Sequence, residues 1–432
     1  MDTRLDTRMM HPRDQIVLVI RRIYNRGLTT TSGGNISVID ENGDIWVTPA
    51  GVDKGALRAS DIMCVRNDGT IEGQHRPSSE FPFHKAIYGK RPDLKAIIHA
   101  HPPALVSFSI VHKIPDTNIV AQAKHICGPI GYASYEIPGS AALGKKIADA
   151  LTEDFKAIIM ENHGTVVGGS DLSDAFQRFE TLEFCARTVL KGARLGDVNY
   201  LSKKEIEKFE YPEAELYPEM SKVTYPPDER EKRTEICRII QRACRQGLMI
   251  SSYGTVSCRW KNNDFLITPT NVQRWDIRAE DIVQINDGRR EPGKMPSRGV
   301  RLHEKIYRAN PGINSIIITQ PHNLMAFGVT RTELNVRTIP ESWIFLQDVA
   351  LVPFGSQFDD FSEILKILST NRPAVIIEND AVLITGDTLL QTFDRLEVAE
   401  FSARSIIMGD TLGRMIPIGD SQVEELRRAF LK

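Results

Sequence analysis

The chain has 432 residues, of which 41% are hydrophobic and 25% are charged, and its formal net charge is −2. This composition is ordinary for a soluble globular protein, and the length predicts two domains of about 200 residues each rather than one core. The near-neutral charge gives no reason to expect nucleic acid or an anionic membrane as a partner.

The first residues, Met1 to Asp14, are polar and charged, so they lack the pattern of a signal peptide. No apolar run approaches the ~20 residues that a membrane-spanning helix needs. Six cysteines are scattered without a Cys-x-x-Cys pair, which indicates reduced thiols and neither a disulfide framework nor a zinc ribbon. We therefore expect a cytoplasmic protein.

Hydrophobic spacing predicts a first helix from about Arg13 to Gly27. Strands are expected at about residues 35–40, 44–48, 61–66, 95–100 and 158–161. Asn42-Gly43 reads as a hairpin turn, Ser78 and Ser79 as the N-cap of the next helix, and residues 171–190 as a long helix. Helices between strands, some of which pair as hairpins, predict an α/β domain with a partly antiparallel sheet.

One set of motifs occurs twice in the same order. The first copy reads SGGNIS from Ser32, VTPAG from Val47, PSSE from Pro77, IIHAHP from Ile97 and MENHG from Met160. The second copy reads SYGTVS from Ser252, ITPTN from Ile267, PSRG from Pro296, IITQP from Ile317 and IENDA from Ile377. We therefore predict a duplicated domain at residues 1–195 and 232–432, with a linker at 196–231.

Four residues whose side chains can bind a metal or transfer a proton change together between the copies: Glu80 to Gly299, His99 to Ile318, His101 to Gln320 and His163 to Asp380. Two histidines that are two apart on a strand project to the same face, and the third follows another strand. Three imidazoles with an open fourth position are typical of a catalytic divalent metal, most often Zn²⁺, with Mn²⁺, Fe²⁺ or Co²⁺ as alternatives. Their joint loss favours this hypothesis over three structural histidines.

Glu80 stands at a predicted helix start beside this site, where it could bind the metal or transfer a proton, although the helix dipole also favours such a residue. Small, donor-rich turns contain Asn35, Gly51, Ser78 and Ser79. Backbone N–H groups of such turns, with a helix N-terminus, can hold a phosphate without a lysine. Together with a metal they predict a phosphorylated substrate.

The ordered motif set resembles the class II aldolase/adducin family, which includes the L-fuculose-phosphate aldolases. One family domain would cover about Asp14 to Leu195, and a degenerate second one about Glu231 to Gly409. The resemblance implies two tandem α/β/α domains, each around a mixed, mainly antiparallel sheet of nine strands. It also implies metal-dependent, reversible cleavage of a phosphorylated ketose, similar to fuculose 1-phosphate, to dihydroxyacetone phosphate and an aldehyde.

By the family pattern, His99, His101 and His163 would hold the metal, Glu80 would transfer the proton, and Asn35, Gly51, Ser78 and Ser79 would bind the phosphate. Tyr132 matches the family tyrosine that handles the proton on the aldehyde oxygen and reaches a neighbouring subunit's metal; its counterpart in the second half is about Asp348. The resemblance further implies a homo-oligomer, a dimer of two-domain chains that mimics a four-domain ring. Tyr132 could then face an inactive domain, so either two active halves adjoin or another group substitutes.

Related functions remain as alternatives. Pentulose-phosphate 4-epimerases typically carry Asp where Glu80 stands, so Glu80 favours an aldolase, whereas methylthio-pentulose-phosphate dehydratases share the metal site. An adducin-like assembly role needs no metal, and it describes the second copy better than the first. Arg298 and Arg301, in the region of the lost carboxylate, are either a solvated surface or an anion site.

Overall fold

We analysed a computed structural model of the chain, which describes residues 9–209, 217–262, 264–358, 360–369 and 371–431. The chain divides into two compact units, one made of residues 1–117 and 123–187 and the other of residues 118–122 and 188–432. Each unit contains one eight-stranded sheet.

The elements of the first copy occur in the following order: α1 (Pro12–Asn25), β1 (Asn35–Ile39), β2 (Ile45–Val47), β3 (Met63–Val65), β4 (Ile71–Glu72), α2 (Phe81–Lys90), β5 (Ala96–Ala100), α3 (Pro103–Ile110), α4 (Ala121–Cys127), β6 (Gly131–Ala133), α5 (Ala141–Ala150), β7 (Ala157–Met160), β8 (Thr165–Gly169) and α6 (Leu172–Gly192).

The rest of the chain follows with α7 (Lys203–Phe209), α8 (Pro227–Gln246), β9 (Thr255–Lys261), β10 (Asp264–Ile267), β11 (Val283–Asn286), β12 (Arg289–Arg290), α9 (Val300–Ala309), β13 (Ser315–Thr319), α10 (His322–Thr330), α11 (Pro340–Leu346), β14 (Val349–Val352), α12 (Ser362–Ile367), β15 (Ala374–Ile377), β16 (Ala381–Gly386), α13 (Leu389–Gly409) and α14 (Asp420–Phe430). None of these helices combines the length and the apolar composition needed to cross a bilayer.

The two sheets have the same topology. The first runs in the order β4-β3-β2-β1-β5-β8-β7-β6 and the second in the order β12-β11-β10-β9-β13-β16-β15-β14. All neighbouring pairs are antiparallel except β6 with β7 and β14 with β15, which are parallel. The mixed, mainly antiparallel α/β fold and its tandem duplication are thus confirmed. The expected nine strands are not, because the described part of each copy forms eight.

The central strands β5 and β8 are buried along their whole length. Burial on both faces explains why their apolar residues follow one another without the alternation typical of a half-exposed strand. The hydrophobic core of the first copy packs α2 and α5 against the sheet, with Phe83, Ile87, Leu143 and Ile147 among its members. This packing fixes the start of α2 against the strands that carry the predicted metal ligands.

The predicted N-cap of α2 is wrong, and one helix begins inside the predicted linker. The N-cap of α2 is Glu80, and Ser78 and Ser79 precede it in a turn that is closed by a hydrogen bond from the Phe81 N–H to the Ser78 carbonyl (3.0 Å). Helix α8 begins at Pro227, inside the predicted linker, which also contains α7. Proline at the first helical position followed by Asp and Glu suits a helix start, although a Pro-rich segment resembles a linker.

A buried glutamate anchors the helix that follows the predicted ligand strand in each copy. Glu183 on α6 accepts a hydrogen bond from the Leu105 N–H (3.3 Å) at the start of α3. Its counterpart Glu400 on α13 accepts hydrogen bonds from the N–H groups of Asn323 (3.1 Å) and Leu324 (2.9 Å) at the start of α10. Since both copies keep this contact, it serves the fold.

Replacing Glu183 by Ala should therefore lower the free energy of unfolding by about 1.5–3 kcal/mol, because it leaves helix N–H groups without their charged acceptor. Urea unfolding would measure the change. Glu207→Ala, which removes an exposed side chain on α7, should stay within about 0.5 kcal/mol. Equal stability of both variants would contradict the anchoring role.

Candidate metal centre

The sheet brings the predicted ligands together at one end of its central strands β5 and β8. His99 lies on β5 opposite Asn35 of β1 on one side and Val166 of β8 on the other. His101 follows the last residue of β5, and His163 lies in the turn between β7 and β8. The antiparallel pairing of β5 with β8 places this turn beside the end of β5, so the three imidazoles converge.

The turn that carries His163 is closely fitted. Asn162 has a positive φ of 51°, and the His163 N–H donates to Ser109 Oγ (2.8 Å). A Cβ on Gly164 would lie 2.5 Å from the Ala100 carbonyl oxygen and 2.7 Å from Cδ2 of His101. Glycine is thus required where this turn approaches the end of β5.

The three histidines form a compact group whose ring nitrogens lie within 4.8 Å of one another. His101 Nε2 is 3.0 Å from His99 Nε2. The Glu80 carboxylate closes the group, with Oε2 3.2 Å from His99 Nε2 and Oε1 3.5 Å from His163 Nε2. Among the described residues, this is the one group of three or more His, Cys, Asp or Glu side chains close enough to share an ion.

The protonation states of the three histidines suit the binding of a cation. His99 Nδ1 lies 2.9 Å from the Thr165 carbonyl oxygen, which can only accept, so in the neutral ring Nδ1 carries the hydrogen and Nε2 a lone pair. Burial is the main cause that lowers the pKa of His101 to about 3 and that of His163 to about 4. Neutral imidazoles with converging lone pairs are the ligands that a divalent metal takes.

Glu80 adds the negative charge. Burial acts to raise its pKa, but positive charge at the His99 and His163 positions and the hydrogen bond from the Asn35 amide lower the pKa below its usual value, and a cation held between the rings would act in the same direction. Its Oε1 is buried and accepts no hydrogen bond from the described residues. A buried carboxylate oxygen without a donor fits a cation at this position.

The predicted phosphate-binding turns lie side by side. The Ala50 N–H donates to the Arg76 carbonyl (2.9 Å) and the Ser78 N–H to the Thr48 carbonyl (3.1 Å). Gly51 has a positive φ of 70° and is exposed, as is Ser79. The two turns therefore form one surface in front of the N-terminus of α2.

Asn35 differs from the other predicted phosphate ligands. Its side chain is buried, and Nδ2 donates to Glu80 Oε2 at 2.7 Å. The structure thus groups Asn35 with the carboxylate, whereas Gly51 and Ser79 are exposed and Ser78 is half-buried in the two turns beside the N-terminus of α2.

Sequence reasoning missed Lys54. This lysine is buried, and its Nζ donates to the carbonyls of Pro49 (2.9 Å) and Val52 (3.3 Å), inside the Gly51 turn. Burial lowers its pKa. Arg274 occupies the same offset from its motif in the second copy and donates to the carbonyls of Val272 and Pro269. A basic residue seven positions after the start of both VTPAG and ITPTN was the available signal.

Tyr132 lies away from the histidines within its own unit. It stands on the edge strand β6, and β7 and β8 separate this strand from β5. Burial and the hydrogen-bonded Glu161 raise its pKa. The parallel pairing of β14 with β15 aligns Tyr132 with Leu351, so the expected counterpart near Asp348 is wrong.

In the second copy the equivalent positions hold no comparable ligand set. Asn379 keeps the positive φ (50°), but Asp380 follows it, and burial raises the pKa of Asp380 to about 6. Arg298 stacks over the ring of Phe209 at 3.7 Å and donates to the Phe209 carbonyl (2.7 Å). Arg298 is therefore packed against the end of α7, so the solvated-surface alternative is wrong for Arg298.

The family model for the Class II Aldolase and Adducin N-terminal domain matches residues 14–190 and 234–407. These two segments make up most of the chain, which therefore belongs to this family and contains its domain twice.

Three relatives show what this chain is similar to. The 5-deoxy-D-ribulose 1-phosphate aldolase of Bacillus thuringiensis serovar kurstaki is 32% identical, over 45% of this chain and 92% of that protein. The 3-oxo-tetronate 4-phosphate decarboxylase of Haemophilus influenzae is 32% identical, over 46% of this chain and 95% of that protein. The L-fuculose phosphate aldolase of Methanocaldococcus jannaschii is 35% identical, over 44% of this chain and 98% of that protein. These relatives support an enzyme of the aldolase/lyase superfamily.

Gly164→Ala should displace His101 and weaken metal binding by about 10–100-fold, because the new methyl group meets the Ala100 carbonyl and the imidazole. Competition with a chromogenic chelator would measure the affinity. Gly89→Ala, where a Cβ meets no atom within 4 Å, is the matched control and should bind metal as the wild type does. Unchanged affinity in Gly164→Ala would contradict the requirement for glycine.

Proposed function

We propose that this protein is a metal-dependent aldolase that cleaves a phosphorylated ketose, similar to fuculose 1-phosphate, to dihydroxyacetone phosphate and an aldehyde. The observation that carries the proposal is the convergence of His99, His101 and His163 with the buried carboxylate of Glu80. The exposed turns beside the N-terminus of α2 support a phosphate-bearing substrate. The family membership and the names of the relatives support the same class of reaction.

His99, His101 and His163 would hold a divalent cation. Their nitrogen ligands favour Zn²⁺, with Mn²⁺, Fe²⁺ or Co²⁺ as alternatives. When bound, such an ion polarises the substrate carbonyl as a Lewis acid. The N–H groups and hydroxyls around Gly51, Ser78 and Ser79 would fix the phosphate. This arrangement would hold the sugar carbons between the phosphate site and the metal ligands.

Glu80 would act as the proton-transferring group. Cleavage of the carbon–carbon bond leaves its electron pair on the three-carbon phosphate fragment, and a proton must be added there to give dihydroxyacetone phosphate. The Glu80 carboxylate, adjacent to the ring nitrogens of His99 and His163, is placed to carry that proton.

Decarboxylation of a 3-oxo-tetronate 4-phosphate is the second candidate, and the relative named as such a decarboxylase favours it. Loss of CO₂ from that acid leaves the same three-carbon phosphate fragment, which must also take a proton at carbon. Both reactions therefore require the same metal ligands, phosphate site and Glu80. They differ in the leaving group, which is CO₂ in one case and an aldehyde in the other.

Tyr132 remains the residue that we propose handles the proton on the aldehyde oxygen: it would accept this proton from the sugar hydroxyl during cleavage and return it in the reverse reaction. Tyr132 lies on an edge strand that two other strands separate from β5. This position is consistent with a role at the site of another chain, and we accordingly propose a homo-oligomer, a dimer of two-domain chains. A Tyr132→Phe variant with reduced cleavage of the sugar, in a protein shown to be oligomeric by light scattering, would support this role.

Metal removal provides the first test of the proposed function. The protein, incubated with a panel of ketose 1-phosphates and with 3-oxo-tetronate 4-phosphate, should release dihydroxyacetone phosphate in a coupled assay, and a chelator should abolish the release. An aldehyde product supports the aldolase and CO₂ supports the decarboxylase. Bound metal with no release from any compound would favour an epimerase or dehydratase; absence of restorable metal binding would favour an assembly role.

Glu80→Gln should lower kcat by about 10²–10⁴-fold, because the amide cannot carry the transferred proton. Metal bound per chain should remain near one ion, since the three histidines are intact. Asp380→Asn changes the buried acid of the second copy and should leave kcat unchanged. Steady-state kinetics with metal analysis would measure both, and a fully active Glu80→Gln variant would contradict the assigned role.

A further inference from the structure

A buried chain of hydrogen bonds lies behind the proposed metal site. Ser37 Oγ is 2.8 Å from the Tyr88 hydroxyl and 2.6 Å from His84 Nδ1. His84 Nε2 is hydrogen bonded to Asn35 Oδ1, and Asn35 Nδ2 donates to Glu80 Oε2 at 2.7 Å. All five residues are buried. The chain therefore connects the middle of α2 to the carboxylate at its N-terminus.

These hydrogen bonds have a single direction. Since Asn35 uses its amide nitrogen for Glu80, its oxygen faces His84 and can only accept, so Nε2 of His84 carries the hydrogen. Burial keeps this ring neutral by lowering its pKa to about 3, and Nδ1 then accepts from the Ser37 hydroxyl. Ser37 in turn accepts from the Tyr88 hydroxyl. Every donor points towards Glu80, and each group fixes the orientation of the next.

The second copy keeps the first part of this chain and lacks the last part. Ser257 Oγ is 2.7 Å from both the Tyr307 hydroxyl and His303 Nδ1, and these residues are buried as well. At the position of Asn35, however, Thr255 pairs with Ser297 (2.6 Å). His303 Nε2 is a buried nitrogen without a hydrogen-bond partner among the described residues.

The comparison separates a fold role from a role at the site. The Tyr–Ser–His arrangement is present in both copies, including the one without metal ligands, so it braces α2 against the sheet in the first copy and α9 in the second. Asn35, which joins His84 to the Glu80 carboxylate, is present only in the first copy, the copy that has this carboxylate. With both ends of its amide occupied, Asn35 is also less suited to bind a phosphate than the exposed turns are.

We propose that Tyr88, Ser37 and His84 are positioning residues that act through Asn35 to hold the Glu80 carboxylate against the metal ligands. This inference rests on the proposed function, because it assigns a purpose to the orientation of Glu80. In the second copy, where Thr255 stands in place of Asn35, the same brace ends at His303.

Three variants test this proposal. Asn35→Thr installs the residue that the second copy carries at this position, and so it should fold. His84→Phe removes the brace behind Asn35, and His303→Phe removes its counterpart in the second copy as the matched control. The measurements are Zn²⁺ affinity without substrate, kcat and KM, thermal unfolding, and the ¹⁵N shifts of the imidazoles in the histidine-labelled protein.

We expect the wild-type spectrum to contain a neutral His84 with its hydrogen on Nε2. His84→Phe and Asn35→Thr should weaken Zn²⁺ binding and lower kcat, each by about 10–100-fold, with KM within about threefold. His303→Phe should lose as much thermal stability as His84→Phe and keep both Zn²⁺ affinity and kcat. A hydrogen on Nδ1 of His84, or equal Zn²⁺ affinity and kcat in His84→Phe and His303→Phe, would overturn the proposal.

Asn35→Thr separates positioning from phosphate binding: a raised KM with unchanged kcat and Zn²⁺ affinity would make Asn35 a phosphate ligand and overturn the proposal. Should His84→Phe fail to fold, Asn35→Thr and the ¹⁵N shifts still decide the question.

The Zn²⁺ and ¹⁵N measurements need no sugar, so a wild type that binds one ion but cleaves nothing refutes the proposed function alone. A wild type that binds no ion refutes both.

Discussion

The convergence of three imidazoles at the end of β5 is the constraint on which the site of the first copy depends. The ring nitrogens lie within 4.8 Å of one another, and the Nε2 lone pair of His99 is directed inward, an arrangement that suits a cation held between the rings. The surrounding structure maintains this arrangement: the Thr165 carbonyl fixes His99, the left-handed Asn162 turns His163 inward, and Gly164 leaves room for His101. The carboxylate of Glu80 completes the set of groups that suit a divalent ion.

The duplication provides an internal comparison between what the fold requires and what the site requires. Both copies keep the sheet order, the turn with positive φ before the third ligand position, and a buried glutamate that anchors the next helix. The second copy lacks the histidines, the carboxylate and the asparagine that contacts it, while its other elements remain in register. The scaffold is thus stable without a metal site, and the residues unique to the first copy are those to which we assign chemistry.

Much of this arrangement could be predicted from the sequence, because alternation on a strand places His99 and His101 on one face and the repeat shows which residues change together. Other features depend on distant contacts that local patterns do not contain. Lys54 looks like a surface lysine, yet its ammonium group binds carbonyls inside a turn. The partner of Asn35 depends on the position of α2, and the start of α8 lies in a Pro-rich segment that resembles a linker. The counterpart of Tyr132 follows from strand register, which the motifs flanking β14 do not define.

The central claim is that one metal ion binds in the first copy alone, between His99, His101 and His163. Crystals of the protein grown with Zn²⁺ and measured at its absorption edge would test this claim most directly. The account predicts one anomalous peak per chain at bonding distance from the three ring nitrogens, and none near Gln320 or Asp380. A peak in the second copy, or no peak at the three histidines in a zinc-saturated protein, would contradict it.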